Sequence, residues 1–380
     1  FDELIGQARA VEVLRRAVAG GPHAMTHAWL FTGPPGSGRS NAARAFAAAL
    51  QCENGGCGHC TACRTSLSGA HPDVTLLRTE QLSIGVDEVR GLVGRANVAP
   101  MGGRWKIVIV EDADRITERG GDALLKALEE PAPRTVWLLC APAAEDVIVT
   151  IRSRCRQLQL VTPGREAITE LLMTRDQVPS ALAAHSARVS QGHVGRARML
   201  ARSEGARIRR HETLSLPAKL RSLTDCLTAA SNLVETSAEE AQQATADLDA
   251  RELAELQQSL GMGTKGVRQR SAQAAVRELE EQHKMRLKRF QRDSLDMVLT
   301  ELTGFYRDVL AAQTAPEVEL VNADLIDQIT PIARQSTAEQ TVHALDAILA
   351  ARRALETNVA PLLAMEALLI RLAEARHKTG

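Results

Sequence analysis

Gly33-Pro34-Pro35-Gly36-Ser37-Gly38-Arg39-Ser40 is the stretch whose reading decides the fold of this chain. An apolar strand candidate, Ala28-Trp29-Leu30-Phe31-Thr32, leads into it, and an alanine-rich helix candidate, Asn41 to Leu50, leads out. Strand, glycine loop and helix in that order are the setting of a phosphate-binding P-loop. The glycines let the backbone wrap closely, so that successive N–H groups face phosphate oxygens. The helix N-terminus adds partial positive charge. Gly33, Gly36, Ser37, Gly38, Arg39 and Ser40 are therefore the candidate nucleotide-binding residues. One position departs from the pattern: Arg39 stands where lysine is usual. A guanidinium is planar and bulkier than an ammonium point charge, so the exchange is not conservative. The loop argues for nucleotide binding; hydrolysis is a separate requirement.

Outward from the loop, strands and helices alternate. Asp73 to Leu77, Lys106 to Val110, Val136 to Cys140 and Gln157 to Val161 read as strands, with helices expected over Leu82–Arg95 and Asp114–Glu130, the latter stopped by Pro131. This alternation predicts a parallel α/β sheet. Thr162-Pro163-Gly164 marks a boundary, and no strand pattern follows it. The expected class is α/β followed by all-α. Its parts are an α/β domain over 1–162, a small helical domain over 163–210 and long helices over 211–380. Leu216, Leu220, Leu223 and Leu227 are expected on one helix face, and so are Leu295, Val298, Leu302, Phe305 and Val309. Leu362, Met365, Leu369 and Leu372 mark a last helix, and Leu260 to Thr264 a break between two others.

The totals exclude several classes. At 380 residues, 44% apolar and 24% charged, the chain has the composition of an ordinary multidomain protein. No apolar run is long enough to span a membrane. Lys and Arg number 46, as do Asp and Glu, so nothing global draws the chain to nucleic acid. With three tryptophans, one tyrosine and five phenylalanines, base stacking on aromatic platforms is excluded as a main binding mode. The chain opens at Phe1, not at methionine, so residues upstream are expected.

Three constellations carry chemistry. Cys52, Cys57, Cys60 and Cys63 crowd into twelve residues. Four thiolates at such spacing suit a closed tetrahedral zinc site, structural because no position stays open, and they imply a reducing cytoplasm. His59 is surplus to that set, and an iron–sulfur cluster is the rival reading. Second, Glu111-Asp112-Ala113-Asp114 ends a buried strand near the P-loop, where acids usually serve magnesium and the attacking water. The usual order is aspartate then glutamate; here it is inverted, and the shorter Asp112 would shift a held water by about 1 Å. A solvated, helix-capping turn is the alternative. Third, Arg152, Arg154 and Arg156 lie in Thr150-Ile151-Arg152-Ser153-Arg154-Cys155-Arg156, either a solvated face or a source of an arginine finger.

With Leu4-Ile5-Gly6-Gln7 and Leu124-Leu125-Lys126-Ala127-Leu128-Glu129-Glu130-Pro131, these motifs resemble the clamp-loader AAA+ family of bacterial DNA polymerase III. The match is dense over the first 160 residues; beyond them it is one of architecture. The resemblance implies a RecA-like AAA+ domain with a zinc module at 52–63, a helical lid and a helical collar that assembles a ring. It implies that Arg154 is a finger offered in trans, and that the partners are motor subunits of the gamma/tau kind, a delta subunit, the sliding clamp and primed DNA. Arg39, the Glu111–Asp112 order, Ala141-Pro142 in place of a polar sensor, and Arg196 one place off the lid's arginine all depart from the motor pattern. They point to a stator with little or no hydrolysis of its own, whose loop would take ATP with magnesium only in degenerate form. Two alternatives stay open: a motor-type ATPase, and a nucleic-acid-binding module using the basic segment 264–292.

Overall fold

The structure is a computed structural model that describes residues 1, 4–21, 23–79, 83–102, 104–259, 269–315, 317–357 and 359–377. Two compact units form, Phe1–Ser203 and Glu204–Gly380.

In the first unit α1 (Ala8–Val18) precedes β1 (Ala28–Thr32), the glycine loop and α2 (Arg39–Gln51). Then follow α3 (Thr61–Ser68), β2 (Val74–Leu77), α4 (Val86–Ala96), β3 (Lys106–Val110), α5 (Glu118–Glu129), β4 (Thr135–Ala141), α6 (Val149–Arg152) and β5 (Arg156–Gln159). The five strands are all parallel, in the order β2-β3-β4-β1-β5. A sheet covered on both sides needs strands that are apolar throughout, and β1, β3 and β4 are buried at every residue. Alternate side chains feed two cores: Trp29, Phe31, Ile107 and Ile109 pack with Leu14 and Phe46 on one face. Leu30, Val108, Val110 and Trp137 pack with Val89, Leu92 and Leu124 on the other. The P-loop leaves the carboxyl end of β1 and Glu111 that of β3, with β4 between them. This is the edge at which open parallel sheets bind ligands.

After β5 come α7 (Arg165–Thr174), α8 (Ser180–Val189) and α9 (Val194–Arg202), around Ile168, Leu172, Ala183, Ala187 and Ala197. The second unit holds α10 (Glu204–Lys219), α11 (Leu223–Ser259), α12 (Gln269–Thr314), α13 (Ile326–Gln335), α14 (Ala338–Glu356) and α15 (Pro361–His377). Its core gathers Leu220, Leu295, Leu302, Phe305, Val309, Ile348, Met365 and Leu369. None of its described residues forms a strand. The helix α10 runs unbroken through position 210.

Several local expectations are corrected. Asp114–Glu130 is not one helix: a 3-10 turn, Ala113–Arg115, comes first, and Thr117 then starts α5, its Oγ1 accepting the Gly120 N–H at 3.2 Å. A threonine that caps cannot also be helix interior. The cysteine segment, which its glycines and lack of apolar residues predict to be a loop from Cys52 to Cys63, is one only to Cys60, whose sulfur caps α3. The helix expected from Leu82 starts at Val86, and Leu82 lies outside the described residues, as does the expected break at Leu260–Thr264. Leu223 and Leu227 face solvent because the chain breaks between α10 and α11; the new phase turns Cys226 and Ala230 inward. Leu362 is likewise exposed, whereas Met365, Leu369 and Leu372 are core.

Two buried carboxylates tie chain segments together. Asp73 accepts the Met101 and Gly102 N–H groups at 2.8 and 2.9 Å, with Lys106 Nζ at 3.5 Å. Burial pushes its carboxyl up, but those donors and the Lys106 charge outweigh it and hold the group below its ordinary value. A depressed carboxyl contributes stability that is complete above its unfolded pKa and fades as pH falls through the folded one. Asp73→Asn should therefore flatten the acid limb of the stability curve below about pH 4, read as the urea midpoint against pH. In the second unit Asp308 accepts the Val321 N–H at 3.0 Å and the Asn322 N–H and side-chain amide at 2.6 and 2.8 Å. Asp308→Ala leaves those donors buried without an acceptor and should cost roughly 3 kcal/mol, measured by denaturant unfolding.

Candidate functional site

The glycine loop adopts the conformation that its composition requires. Gly33, Gly36 and Gly38 have φ of +152°, +82° and +91°. A Cβ on Gly33 would come within 2.7 Å of Ser37 Oγ and the Leu160 carbonyl, and one on Gly36 would overlap the ring of His193. Gln7 staples the loop: its amide donates to the Ser37 and Val161 carbonyls at 3.2 and 2.6 Å and accepts the Val161 N–H at 3.1 Å. The Gly33 N–H donates to the Pro142 carbonyl at 3.1 Å, which joins the loop to the end of β4. Arg39 folds back and donates to the Gly33 carbonyl. Ser40 follows it in the first turn of α2.

His193 caps α9, its Nδ1 accepting the Arg196 N–H at 3.1 Å. Burial lowers the pKa of its imidazole, and the charges of Arg196 and Arg39 lower it further, so a neutral ring packs on Gly36.

The acids of the second constellation separate in role. Glu111 accepts from Arg44 Nη2 at 2.7 Å and faces Arg78 Nε at 3.7 Å, with its side chain 10% exposed. Asp112 opens the 3-10 turn and accepts the Arg115 N–H through its carbonyl at 3.0 Å. Burial raises the Asp114 carboxyl, and the Asp112 charge adds to that against Arg115 and Arg39. At the buried Cys140 of β4, burial pushes the thiol up; the fields of Glu111 and Asp112 raise it while Arg39 and Arg44 lower it. The loop arginine and the strand-end acids therefore occupy one locality, as the motif spacing predicts. Glu111, engaged by two guanidinium groups, does not offer a magnesium ion a free carboxylate.

The cysteines converge. The sulfurs of Cys52, Cys57, Cys60 and Cys63 all lie within 4.8 Å of one another. Cys52 Sγ stands 3.6 Å from Cys57 Sγ and 3.8 Å from Cys60 Sγ. Four sulfurs bound at about 2.3 Å to one tetrahedral ion stand about 3.8 Å apart. The N–H groups of Cys57, Gly58 and Cys63 approach sulfurs of the set at 3.4–3.5 Å. Burial raises the Cys52 thiol, but the N–H groups of Cys57, Gly56 and Asn54 outweigh it and bring the group down to about 6, favouring a thiolate. His59 turns to the Cys57 carbonyl, 2.9 Å from its Nδ1, as expected of a bystander. All of this donor geometry suits a structural zinc ion.

Arg154 follows α6 and precedes β5. Its guanidinium donates to the Thr150 carbonyl at 2.8 Å and Ser153 Oγ at 3.3 Å, and pairs with Glu129 at the end of α5. None of these partners belongs to the P-loop or to the strand-end acids. Its neighbours differ: Arg152 reaches the Ala144 carbonyl at 3.3 Å, and Arg156 lies 4.9 Å over the Trp29 ring.

Members of the basic segment meet acids of this chain. Arg286 is buried and pairs with Asp249 and Glu252 at 2.5 and 2.9 Å; Lys284 pairs with Glu281 at 2.7 Å. Lys265 and Arg268 lie outside the described residues. Arg286 thus serves helix pairing, while Arg277 and Lys288 are exposed.

Three functional neighbours escaped the sequence reading: Arg44, His193 and the amide of Gln7. Arg44 sits in an alanine-rich helix and its partner is 67 positions away, so no local spacing flags it.

The comparisons with known proteins agree with these features. A family model described as DNA polymerase III, delta subunit, matches residues 6–163, and one described as DNA polymerase III, delta subunit, C terminal, matches 276–374. The chain is 41% identical over 160 residues to DNA polymerase III subunit delta' of Pseudomonas aeruginosa, a match covering 40% of this chain and 48% of that protein. It is 28% identical over 358 residues, 92% of both chains, to subunit delta' of Bacillus subtilis. It is 30% identical over 172 residues to subunit tau of Bacillus subtilis, covering 44% of this chain and 30% of that protein. The chain thus spans about half the length of the Pseudomonas relative and a smaller share of tau.

Elemental analysis of the purified chain should find one zinc per molecule and a colourless protein without iron–sulfur absorption. Cys57→Ser should lose the metal and more than about 3 kcal/mol of stability in thermal or urea unfolding, since structural zinc contributes folding energy directly. A metal-free unmodified chain of equal stability would contradict the assignment.

Proposed function

The chain belongs to the clamp-loader AAA+ family as a relative of DNA polymerase III delta and delta' subunits, and from that premise we propose that it serves as a stator. In this reading residues 1–162 form the AAA+ body, 163–210 the lid and 211–380 the collar by which it joins a ring. Its partners are motor subunits of the gamma/tau kind and a delta subunit. The assembly, cytoplasmic, opens a sliding clamp and places it on primed DNA.

The observation that carries the proposal is the placement of Arg154. Its guanidinium is about one-third exposed, held by Thr150, Ser153 and Glu129, and none of these belongs to the chain's own phosphate loop. A guanidinium presented this way is suited to a phosphate on another subunit. A planar fork gives two parallel hydrogen bonds and a fixed charge where negative charge develops in phosphoryl transfer.

The chain's own pocket supports the complementary half of the reading. Glu111 is neutralised by Arg44. Asp112 is one methylene short of the residue that would position water. Ala141 and Pro142 offer no side-chain polar group at the sensor position, and Arg196 stands one place off the position of the lid's arginine. Each of these removes a group that would stabilise or orient the reacting phosphate.

Reconstitution with motor subunits tests this. Arg154→Ala should leave assembly intact on gel filtration yet lower hydrolysis at the neighbouring site by about 10³-fold or more, seen as a loss of clamp- and DNA-stimulated ATPase. The isolated chain should show no measurable turnover. Unchanged ATPase in the Arg154→Ala complex, or brisk hydrolysis by the chain alone, would refute the role.

A further inference from the structure

Two sets of observations at the nucleotide pocket point in different directions. The loop retains what holds an anion. Gly36 and Gly38 keep left-handed backbone. The helix α2, of thirteen residues, starts at Gly38 with no side-chain cap, so its first N–H groups have no partner within the helix. Ser37 is 4% exposed, and its Oγ, held inside the loop against Gly33, has no hydrogen-bond partner among the described residues. A buried hydroxyl without a partner is costly unless something else completes it. Arg39 adds a permanent charge beside it.

The carboxylate at the end of β3, by contrast, is already engaged. Magnesium in such a pocket is bound through one or two carboxylates together with phosphate oxygens and water. Here Glu111 gives one oxygen to Arg44 at 2.7 Å and has Arg78 at 3.7 Å from the other. A guanidinium does not deprotonate, so it cannot yield its place by titration. An ion beside Glu111 would meet that fixed positive charge.

We propose that Arg44 stands in for the divalent cation, and that the P-loop takes the phosphates of a nucleoside di- or triphosphate without magnesium. The loop amides hold the phosphates, Arg39 adds positive charge from its place on the Gly33 carbonyl, and Arg44 with Arg78 balances the acid that would otherwise recruit a metal. No bond is made or broken. The inference does not depend on where Arg154 points, so it stands or falls apart from the stator role.

Calorimetric titration of the full chain with ADP, in excess EDTA and then in excess magnesium, tests it. The two affinities should agree within about threefold. Arg44→Gln, checked for folding by thermal unfolding and zinc content, should weaken binding in EDTA by about tenfold and make it magnesium-dependent. If that variant fails to fold, the comparison of the two buffers on the unmodified chain still decides. Absence of ADP binding in both buffers, a larger magnesium effect on the unmodified chain, or a folded Arg44→Gln protein that behaves like it would overturn the proposal.

Discussion

Glu111 leaves β3, a strand buried at every residue, at the carboxyl edge of the sheet, and nine-tenths of its side chain is withdrawn from water. A carboxylate placed there must find a counter-charge or surrender its own. In a hydrolytic P-loop protein that counter-charge is a metal delivered with the nucleotide. Here it is Arg44, part of the helix that the loop itself opens. The charge of Glu111 is therefore balanced within the chain.

The frame that holds this pair is rigid for reasons that can be named. Parallel pairing of β3, β4 and β1 fixes the spacing between the acid and the loop. Trp29 packs edge-on against Phe46 with centroids 5.2 Å apart, locking α2 to β1. Gln7 ties the loop to the chain beyond β5, and the cysteine cluster ends α2 at its other terminus, with Cys63 Sγ 3.8 Å from the Ala48 carbonyl. α2 is thus anchored at both ends, which keeps Arg44 in register with Glu111.

Much of the fold was legible because its signals were periodic or positional. The buried strands read as continuous apolar runs, and the glycine loop and cysteine spacing carry their geometry in the sequence itself. What was missed involved competition between equally local signals. Thr117 could extend a helix or cap one, and the structure uses it as a cap. The leucines at 223 and 227 kept a helical spacing with 216 and 220, but the break before Leu223 resets the phase. The site's missing members were of another kind. Arg44 and His193 act through tertiary proximity to the loop, and no spacing rule reaches across that distance. The inverted acids could be read as a defect from the sequence; that a specific arginine completes them could not.

The arginines of this chain divide by the kind of acid they meet. Arg210 is buried against Glu301 at 3.1 Å, and Arg286 against Asp249 and Glu252. Breaking such pairs strands a charge in a poorly solvated place, so they are not available for other work. The pair of Arg154 with Glu129 differs, since the two side chains are 35% and 49% exposed. An exposed pair is worth about 0–1 kcal/mol, because water can replace either partner. A phosphate offers a doubly hydrogen-bonded, charge-assisted contact that is stronger than that. Exchange of Glu129 for a neighbour's phosphate is therefore downhill under the proposed role. Glu129 meanwhile keeps the guanidinium oriented, which lowers the entropy lost when the exchange occurs. Arg44 and Arg154 thus follow from one principle: the burial of the acid that each meets, 10% exposed for Glu111 and 49% for Glu129, decides how firmly the guanidinium is held within its own chain.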